Sequence, residues 1–190
     1  STMMREYGRF LRAHDFDGVN IAETYFESDV RGAAEPGNYA PMHPSSRREF
    51  ARLQGCDPAL LFEKGSGYYW KDHPSALRKF EDFRVDQVVE MHRRLLQLAH
   101  ELRRERPGFA VLVTMLDNIG SPALRASQGI DIERIIALRE QYPFTLIVED
   151  PMARWSEDPR RYHDIAAVYR GLLGDDFMLD INILSFRSEE

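Results

Sequence analysis

The chain has 190 residues, of which 43% are hydrophobic, so it is long enough to bury a core of ordinary size. Its formal net charge is −6 and its 25 basic residues are scattered, which argues against a nucleic-acid partner. Its apolar runs are too short to span a membrane, and its single cysteine excludes a disulfide framework and a cysteine-based metal site.

The first part of the chain predicts a helix, a strand and a long insertion. Apolar residues at helical spacing predict a helix over residues 3–14. The β-branched Val19 and Ile21 predict a buried strand over 19–23, which ends at Glu23. The segment 24–73 is rich in glycine, proline and aromatic residues, and we expect it to be a long functional loop.

A short helix and a further helical turn are expected inside this insertion. Ser46 and Glu49 have the spacing of a capping box, which predicts a helix that begins at Ser46 and ends at Gly55. Asp57 followed by Pro58 predicts an N-cap and the first position of a further helical turn.

Helices and strands alternate through the rest of the chain. Helices are predicted over 75–104, from Asp131 to before Pro143, and from Asp158 to Gly174, and strands over 109–116, 144–148 and 177–184. Strands joined by helices form right-handed βαβ units in a parallel sheet.

The number and polarity of the strands favour an incomplete barrel. Four strands are half of a (β/α)8 barrel, which takes about 250 residues. In the last strand one side is apolar and the other carries Met178, Asp180 and Asn182. A small open sheet with helices on both faces would need both sides apolar. The sequence predicts one domain over 1–190: the middle and later part of a TIM barrel, with sequential parallel strands, helices outside and an insert at 24–73.

Acidic residues lie at the predicted carboxyl ends of the strands. Glu23, Asp117 and Glu149 each follow or end a strand, and Asp180 lies on the polar side of the last one. Ligands bind at this edge of parallel sheets, and paired carboxylates are what glycoside hydrolysis requires. Glu23, Glu149 and Asp180 are therefore the candidate catalytic residues. Each could instead cap a helix or fix a loop, and we expect this structural role for Asp150.

Aromatic and amide side chains could bind a substrate beside these acids. Flat aromatic rings suit the apolar face of a sugar, and amides and phenols can donate hydrogen bonds to a carboxylate. The alternative is that the aromatic residues of the insertion form a small core that holds it in place. The candidate substrate-binding residues are Tyr25, Asn118, Tyr68, Tyr69, Trp70, Trp155 and Asn182.

The sequence contains no metal-binding histidine motif, phosphate-binding loop or nucleophile elbow. The histidines have no metal-binding spacing, and Gly65-Ser66-Gly67 lacks the strand and helix that flank a phosphate loop. No serine stands in a nucleophile elbow. We therefore expect neither a metal nor a cofactor.

Several segments together resemble bacterial glycoside-hydrolase-like TIM barrels, including family 10-like glycosyl hydrolases and clan-A β-galactosidases. The resemblance covers about residues 15–107 and lies in the segments Asp17–Ile21, Phe50, Gly55–Pro58, Leu61 and Phe83-Arg84. It implies a carbohydrate substrate, a secreted or periplasmic location, and a general acid at Glu23 on the fourth strand of such a barrel. Ala22 stands where several relatives have that acid, so Glu23 is displaced by one residue.

A second, shorter resemblance is to the metal-binding strand ends of enolase. It lies in Tyr142-Pro143, Val148–Pro151 and Gly174–Asp176, and it implies that Glu149 and Asp175 hold magnesium in a lyase. A helix precedes Gly174 where enolase has a strand, and no catalytic lysine is evident. We therefore favour the glycosidase over an enolase-like lyase, with an inactive carbohydrate-binding barrel as the main alternative.

Overall fold

The computed structural model describes residues 2–26, 32–151, 158 and 160–181. Strands are β1 (Gly18–Ala22), β2 (Ala110–Leu116), β3 (Thr145–Glu149) and β4 (Phe177–Asp180). Helices are α1 (Thr2–Ala13), α2 (Pro44–Gln54), α3 (Pro74–Glu105), α4 (Pro122–Gln128), α5 (Ile132–Ala137) and α6 (Arg161–Leu173). Short 3-10 turns cover Gly32–Ala34, Pro36–Asn38, Pro58–Leu61 and Leu138–Glu140.

The four strands form one parallel sheet in the order β1-β2-β3-β4. The prediction of adjacent parallel strands in sequential order is confirmed. Four strands do not close a barrel by themselves, so the assignment of this sheet to a TIM barrel stays a prediction.

The chain divides into two compact units. Unit 1 contains residues 1–23, 92–117 and 132–190, and unit 2 contains 24–91 and 118–131, with α3 contributing to both. The prediction of a single domain stays a prediction.

One face of the sheet in unit 1 is apolar and buried. In β1, β2 and β3, side chains on this face are all buried: Val19, Ile21, Val111, Val113, Met115, Leu146 and Val148. Right-handed crossovers between sequential strands place the connecting helices on one face. In β4, Phe177 continues this face and contacts the buried Tyr169 of α6, with 5.9 Å between the ring centroids.

The opposite face of the sheet is more polar and more open. Its exposed side chains are Asn20, Ala22, Ala110 and Met178, the last of them 51% exposed. Half-buried side chains on this face are Leu112, Leu116, Ile147 and Asp180, and Thr114 is buried. The strands of this sheet therefore present one core face and one face, called the open face below, on which polar and acidic groups have access to solvent.

Unit 2 is built around a cluster of aromatic rings and a buried arginine. The cluster includes Phe50 of α2 and Phe80 and Phe83 of α3, packed edge to face or stacked. Arg84, which is fully buried, donates hydrogen bonds to the carbonyl oxygens of Ala40, Ala126 and Ser127. Its guanidinium lies 4.1 Å from the ring centroid of Tyr39, whose hydroxyl also donates to Ala126.

Several local predictions need correction. The α2 helix begins at Pro44, because His43 accepts the hydrogen bond from the Ser45 N–H and acts as N-cap, not Ser46. Its end at Gly55, with φ of 78°, is confirmed, as is the N-cap role of Asp57. The α4 helix was not predicted from the sequence.

The described part of β4 ends at Asp180, and Asn182 lies outside the described residues. No helix in the described part of the chain is long and apolar enough to cross a membrane.

Candidate functional site

Strand alternation divides the acidic residues at the carboxyl end of the sheet between its two faces. Glu149 and Asp180 are register partners on β3 and β4, so both side chains lie on the open face. Asp117 follows Met115 by two residues and Asp150 follows Val148 by two residues, so both acids continue the buried face. The sheet therefore pairs Glu149 with Asp180 and separates them from the other two acids.

Glu149 lies in an environment that raises the pKa of its carboxyl group. Its side chain is half-buried, and burial raises the pKa above the ordinary 4.5, with further raising by the negative charges of Asp180, Glu23 and Asp150. A carboxyl that is desolvated and surrounded by like charges holds its proton more strongly. The environment of Glu149 therefore favours its protonated form.

Asp117 is held on the side of the sheet that carries α6. Its Oδ1 accepts a hydrogen bond from the buried hydroxyl of Tyr169 on α6 at 2.8 Å. Burial and the nearby carboxylate raise the pKa of Tyr169, so the phenol stays protonated as the donor. The backbone N–H of Asp117 also donates to the Glu149 carbonyl at 2.7 Å. Asp117 therefore ties α6 to the end of β2.

Asp150 has the structural role expected from the sequence. Its carboxylate is 6% exposed and pairs with Nε of Arg161, the first residue of α6. The ion pair fixes the start of α6 against the end of β3.

Glu23 directly follows β1 and has an unusual backbone conformation. Its φ is +54°, in the left-handed region, which non-glycine residues seldom adopt. Regular alternation would place Glu23 with Val19 and Ile21 on the buried face, but this conformation interrupts the alternation and Glu23 is exposed. Its charge acts on Glu149, so the backbone turn keeps a third acid near the pair.

A polar pair on the open face was missed in the sequence. Asn20 Nδ2 lies 2.9 Å from Thr114 Oγ1, and that hydroxyl lies 3.0 Å from Asn20 Oδ1. Asn20 stands between two buried β-branched residues, which is the signal that could have identified it. An amide in the middle of a strand marks the face that is not core.

Two of the candidate substrate-binding residues, Asn118 and Tyr25, belong to unit 2. Asn118 is buried, and its Nδ2 donates to the Ile130 carbonyl at 2.9 Å, which holds the loop before α5. Tyr25 is half-buried. Trp155 and Asn182 lie outside the described residues.

The aromatic residues of the insertion are partly accessible. Tyr68 is 41% exposed, and Tyr69 and Trp70 are half-buried with 6.3 Å between their ring centroids. The backbone N–H of Trp70 donates to the Leu61 carbonyl, which fixes this turn within unit 2. Burial of all three would have excluded a sugar-binding platform, and they are not all buried.

The enolase-like arrangement of Glu149 with Asp175 does not fit the strand directions. Glu149 ends β3, whereas Asp175 precedes β4 and lies at the opposite edge of this parallel sheet. Asp175 is exposed and pairs with Arg170 at 3.0 Å. Among the described residues, no group of three or more acidic, histidine or cysteine side chains could hold a metal ion.

A cavity of about 220 Å³ lies in unit 2 and is lined by Pro44, Arg47, Arg48, Ala51 and Asp57. Arg47 donates to both carboxylate oxygens of Asp57, so its charge is already compensated. None of the candidate site residues lines this cavity.

Comparisons with protein-family models, curated proteins and solved structures gave no match to this chain.

Proposed function

We propose that this chain is a glycoside hydrolase of the barrel type, which cleaves a polysaccharide or oligosaccharide through Glu149 and Asp180. The observation that carries the proposal is the placement of two carboxyl groups on neighbouring strands of one open sheet face, where burial raises the pKa of Glu149. Glycosidases need one carboxyl that keeps its proton and one that is ionised.

In this proposal Glu149 protonates the glycosidic oxygen as the leaving group departs. Asp180 attacks the anomeric carbon, and Glu149 then removes a proton from the water that releases the sugar. Parallel strands are about 4.8 Å apart, which matches the short carboxyl separation of retaining enzymes. The charge of Glu23 supports the raised pKa of Glu149 and would stabilise positive charge on the sugar ring.

We also propose that the four-stranded sheet is part of a (β/α)8 barrel. Sequential parallel strands with one buried face are compatible with a segment of a (β/α)8 barrel, in which catalytic groups lie at the carboxyl ends of the strands. A doubly wound sheet would instead reverse its strand order and bury both faces.

The partly exposed aromatic residues favour a second candidate, a carbohydrate-binding chain without hydrolysis. Tyr68 is the most accessible of them, at 41%. This candidate uses the same rings but does not need the protonated carboxyl.

One experiment separates the two candidates. The purified chain is incubated with cello-, xylo-, malto- and chito-hexasaccharides, and new reducing ends are measured, while calorimetry measures binding. We expect hydrolysis of at least one sugar, and a loss of about 10²- to 10⁴-fold in kcat for Glu149→Gln, the range typical of general acid catalysis.

The Asp180→Asn variant should lose activity to a similar or greater extent. Asp175→Asn is the matched control, because Asp175 is an exposed acid at the other end of β4 and should leave the rate unchanged. Hydrolysis that survives Glu149→Gln would contradict the assignment of the acid. Binding without any hydrolysis would support the carbohydrate-binding candidate instead.

A further inference from the structure

We propose that the chain associates with a second copy of itself, so that the two four-stranded sheets close one eight-stranded parallel barrel. The contact joins the β4 edge of one copy to the β1 edge and the α1 helix of the other, and it forms twice in the dimer. This inference rests on the barrel assignment of the proposed function, and it names the partner that supplies the other four strands.

The sheet has an edge on each side that a further strand can join. Within the described residues, β1 and β4 each pair with one neighbouring strand. The edge of a sheet offers its backbone N–H and C=O groups to another chain. Because β1 and β4 run in the same direction at opposite edges, β4 of one copy can pair in parallel with β1 of the next. Two copies supply eight strands, the number in a (β/α)8 barrel.

The α1 helix extends beyond the β1 edge of the sheet. Arg12 of α1 pairs with Glu105 of α3 at 2.8 Å, and a Cβ atom on Gly8 would lie 2.9 Å from Leu98 of α3. The α3 helix leads from β1 to β2 on the same face of the sheet. The α1 helix therefore lies next to α3 on the side away from β2, where it is placed to cover a strand that pairs with β1.

The side of α1 that is turned away from α3 is apolar and exposed. Residues on this side are spaced by three or four positions: Met3, Tyr7, Phe10 and His14. Helical geometry places them about 140–180° round the helix from Arg12. Met3 and Phe10 are 55% and 49% exposed, and the ring of His14 lies 4.5 Å from that of Phe10 and 5.5 Å from that of Phe16. An exposed apolar stripe of this kind marks an interaction surface.

The core face of the sheet loses its cover at β4. In β1, β2 and β3 the side chains on this face are all buried, but Phe177 and Leu179 of β4 are half-buried. Ile181 continues their alternation and is 53% exposed. The α6 helix leads from β3 to β4, so the outer side of β4 needs a helix from beyond the edge. The α1 helix of a second copy occupies that place when its β1 strand pairs with β4.

Closure of the barrel also covers apolar side chains on the open face. Ala22, Ala110 and Met178 are exposed there. In a (β/α)8 barrel, side chains that point inward fill the interior in layers. Because all eight strands run in the same direction, the carboxyl pairs of Glu149 and Asp180 from both copies lie at the same end of the barrel.

The apolar area is sufficient for a specific dimer. The uncovered half of a large apolar side chain amounts to about 100 Å². Met3, Phe10, Phe16 and Ile181 therefore supply about 400 Å² at one contact and about 800 Å² at the two contacts together. Half-buried side chains and the strand edges add to this area, so the interface exceeds the about 1,000 Å² expected of a specific contact.

Sedimentation equilibrium of the unaltered chain at about 1–100 μM tests the inference. We expect a particle of twice the chain mass of 22.1 kDa. Phe10→Asp should raise the Kd of the dimer by more than about 10-fold, because it places a charge in the centre of the apolar contact. Ile181→Asp, at the other edge of the sheet, should have the same effect. Both side chains are exposed in the single chain, so both variants should fold, and circular dichroism checks this.

Val168→Asp is the matched control, because Val168 is a similarly exposed apolar residue of α6. It lies seven residues after Arg161 and therefore on the same side of the helix. Arg161 pairs with Asp150 at the end of β3, so this side faces away from the β4 edge. The substitution should leave the Kd of the dimer unchanged.

The outcomes separate this inference from the proposed function. A monomer at every concentration, or a dimer that both edge variants leave intact, would overturn the inference. Particles larger than a dimer would also overturn it, because contacts that do not close form open chains. Hydrolysis by a monomeric chain would overturn the second copy and leave the hydrolase standing. A dimer that both edge variants weaken, but that hydrolyses none of the hexasaccharides, would support this inference and contradict the hydrolase.

Discussion

At the scale of single residues, side-chain direction decides which acids can work together. Four acids lie at the carboxyl ends of β2, β3 and β4, and alternation places Glu149 and Asp180 on one face. Asp117 and Asp150 lie on the other and are engaged by Tyr169 and Arg161. The proposed chemistry therefore depends on which face of the sheet each carboxyl group lies on, and a shift of one residue along a strand would move it to the other face.

The raised pKa of Glu149 predicts a pH-dependent contribution to stability. Because its folded-state pKa lies above the ordinary 4.5, the folded chain binds more protons than the unfolded chain between these two values. The contribution of this group is fully present below the ordinary value and is lost as the pH rises through the raised value. Urea denaturation across a pH series should show this loss in the unaltered chain and not in Glu149→Gln.

Glu140→Gln is the control, since Glu140 is an exposed acid of the same unit. A difference between the unaltered chain and Glu149→Gln that stays constant with pH would contradict the prediction.

The buried Arg84 predicts a large effect on stability. Arg84→Met would leave the carbonyl oxygens of Ala40, Ala126 and Ser127 without their guanidinium donors. Tyr39 still donates to Ala126, but each buried acceptor left without a donor costs about 1–3 kcal/mol, so we expect the free energy of unfolding to fall by about 2 kcal/mol or more. Chemical denaturation measures this loss.

Arg78→Met is the matched control for Arg84, because Arg78 is exposed on the same helix and should change stability by less than about 0.5 kcal/mol. Arg84→Lys retains the charge but not the planar group of donors, and we expect it to be destabilising as well. Equal stabilities of the Arg84 and Arg78 variants would show that the buried guanidinium is not needed.

At the scale of elements, β1 and β2 approach so closely that a glycine is required. A Cβ atom on Gly18 would lie 2.5 Å from the Ala110 carbonyl oxygen and 2.7 Å from its Cβ. The chain enters the sheet at this pair, which is also the first register pair of the two strands. The same β1 strand carries Asn20 and leads to Glu23, so its position matters for the site.

We therefore expect Gly18→Ala to destabilise the chain by about 1–3 kcal/mol, the usual effect of overpacking. Thermal or urea denaturation measures the change. Gly171→Ala is the control, because a methyl group at this position of α6 would meet no atom within 4 Å. Alanine there should stabilise the helix by about 0.5–1 kcal/mol. Equal effects of the two substitutions would contradict close packing at Gly18.

At the scale of the whole chain, helix and strand alternation predicted the parallel sheet and its sequential order. The signal was strong because buried parallel strands are short apolar runs and the helices between them are long and periodic. The ends of elements were less accurate. The sequence placed the start of α2 at Ser46, although the side chain of His43 serves as its cap.

The core of unit 2 could not have been predicted from these patterns. Arg84 stands four residues from Phe80 and from Val88, which are both buried, so its spacing is that of a buried position. Only the fold shows that three backbone carbonyls and the ring of Tyr39 surround its charge.

The sequence by itself determined the strands, their direction and the presence of acids at their ends, because local periodicity and strand-end position carry that information. The tertiary structure decided which acids face the same side, which are taken up by α6, and where Asn20 meets Thr114. These depend on strand register and on the positive φ of Glu23, and both are set by contacts between residues far apart in the chain.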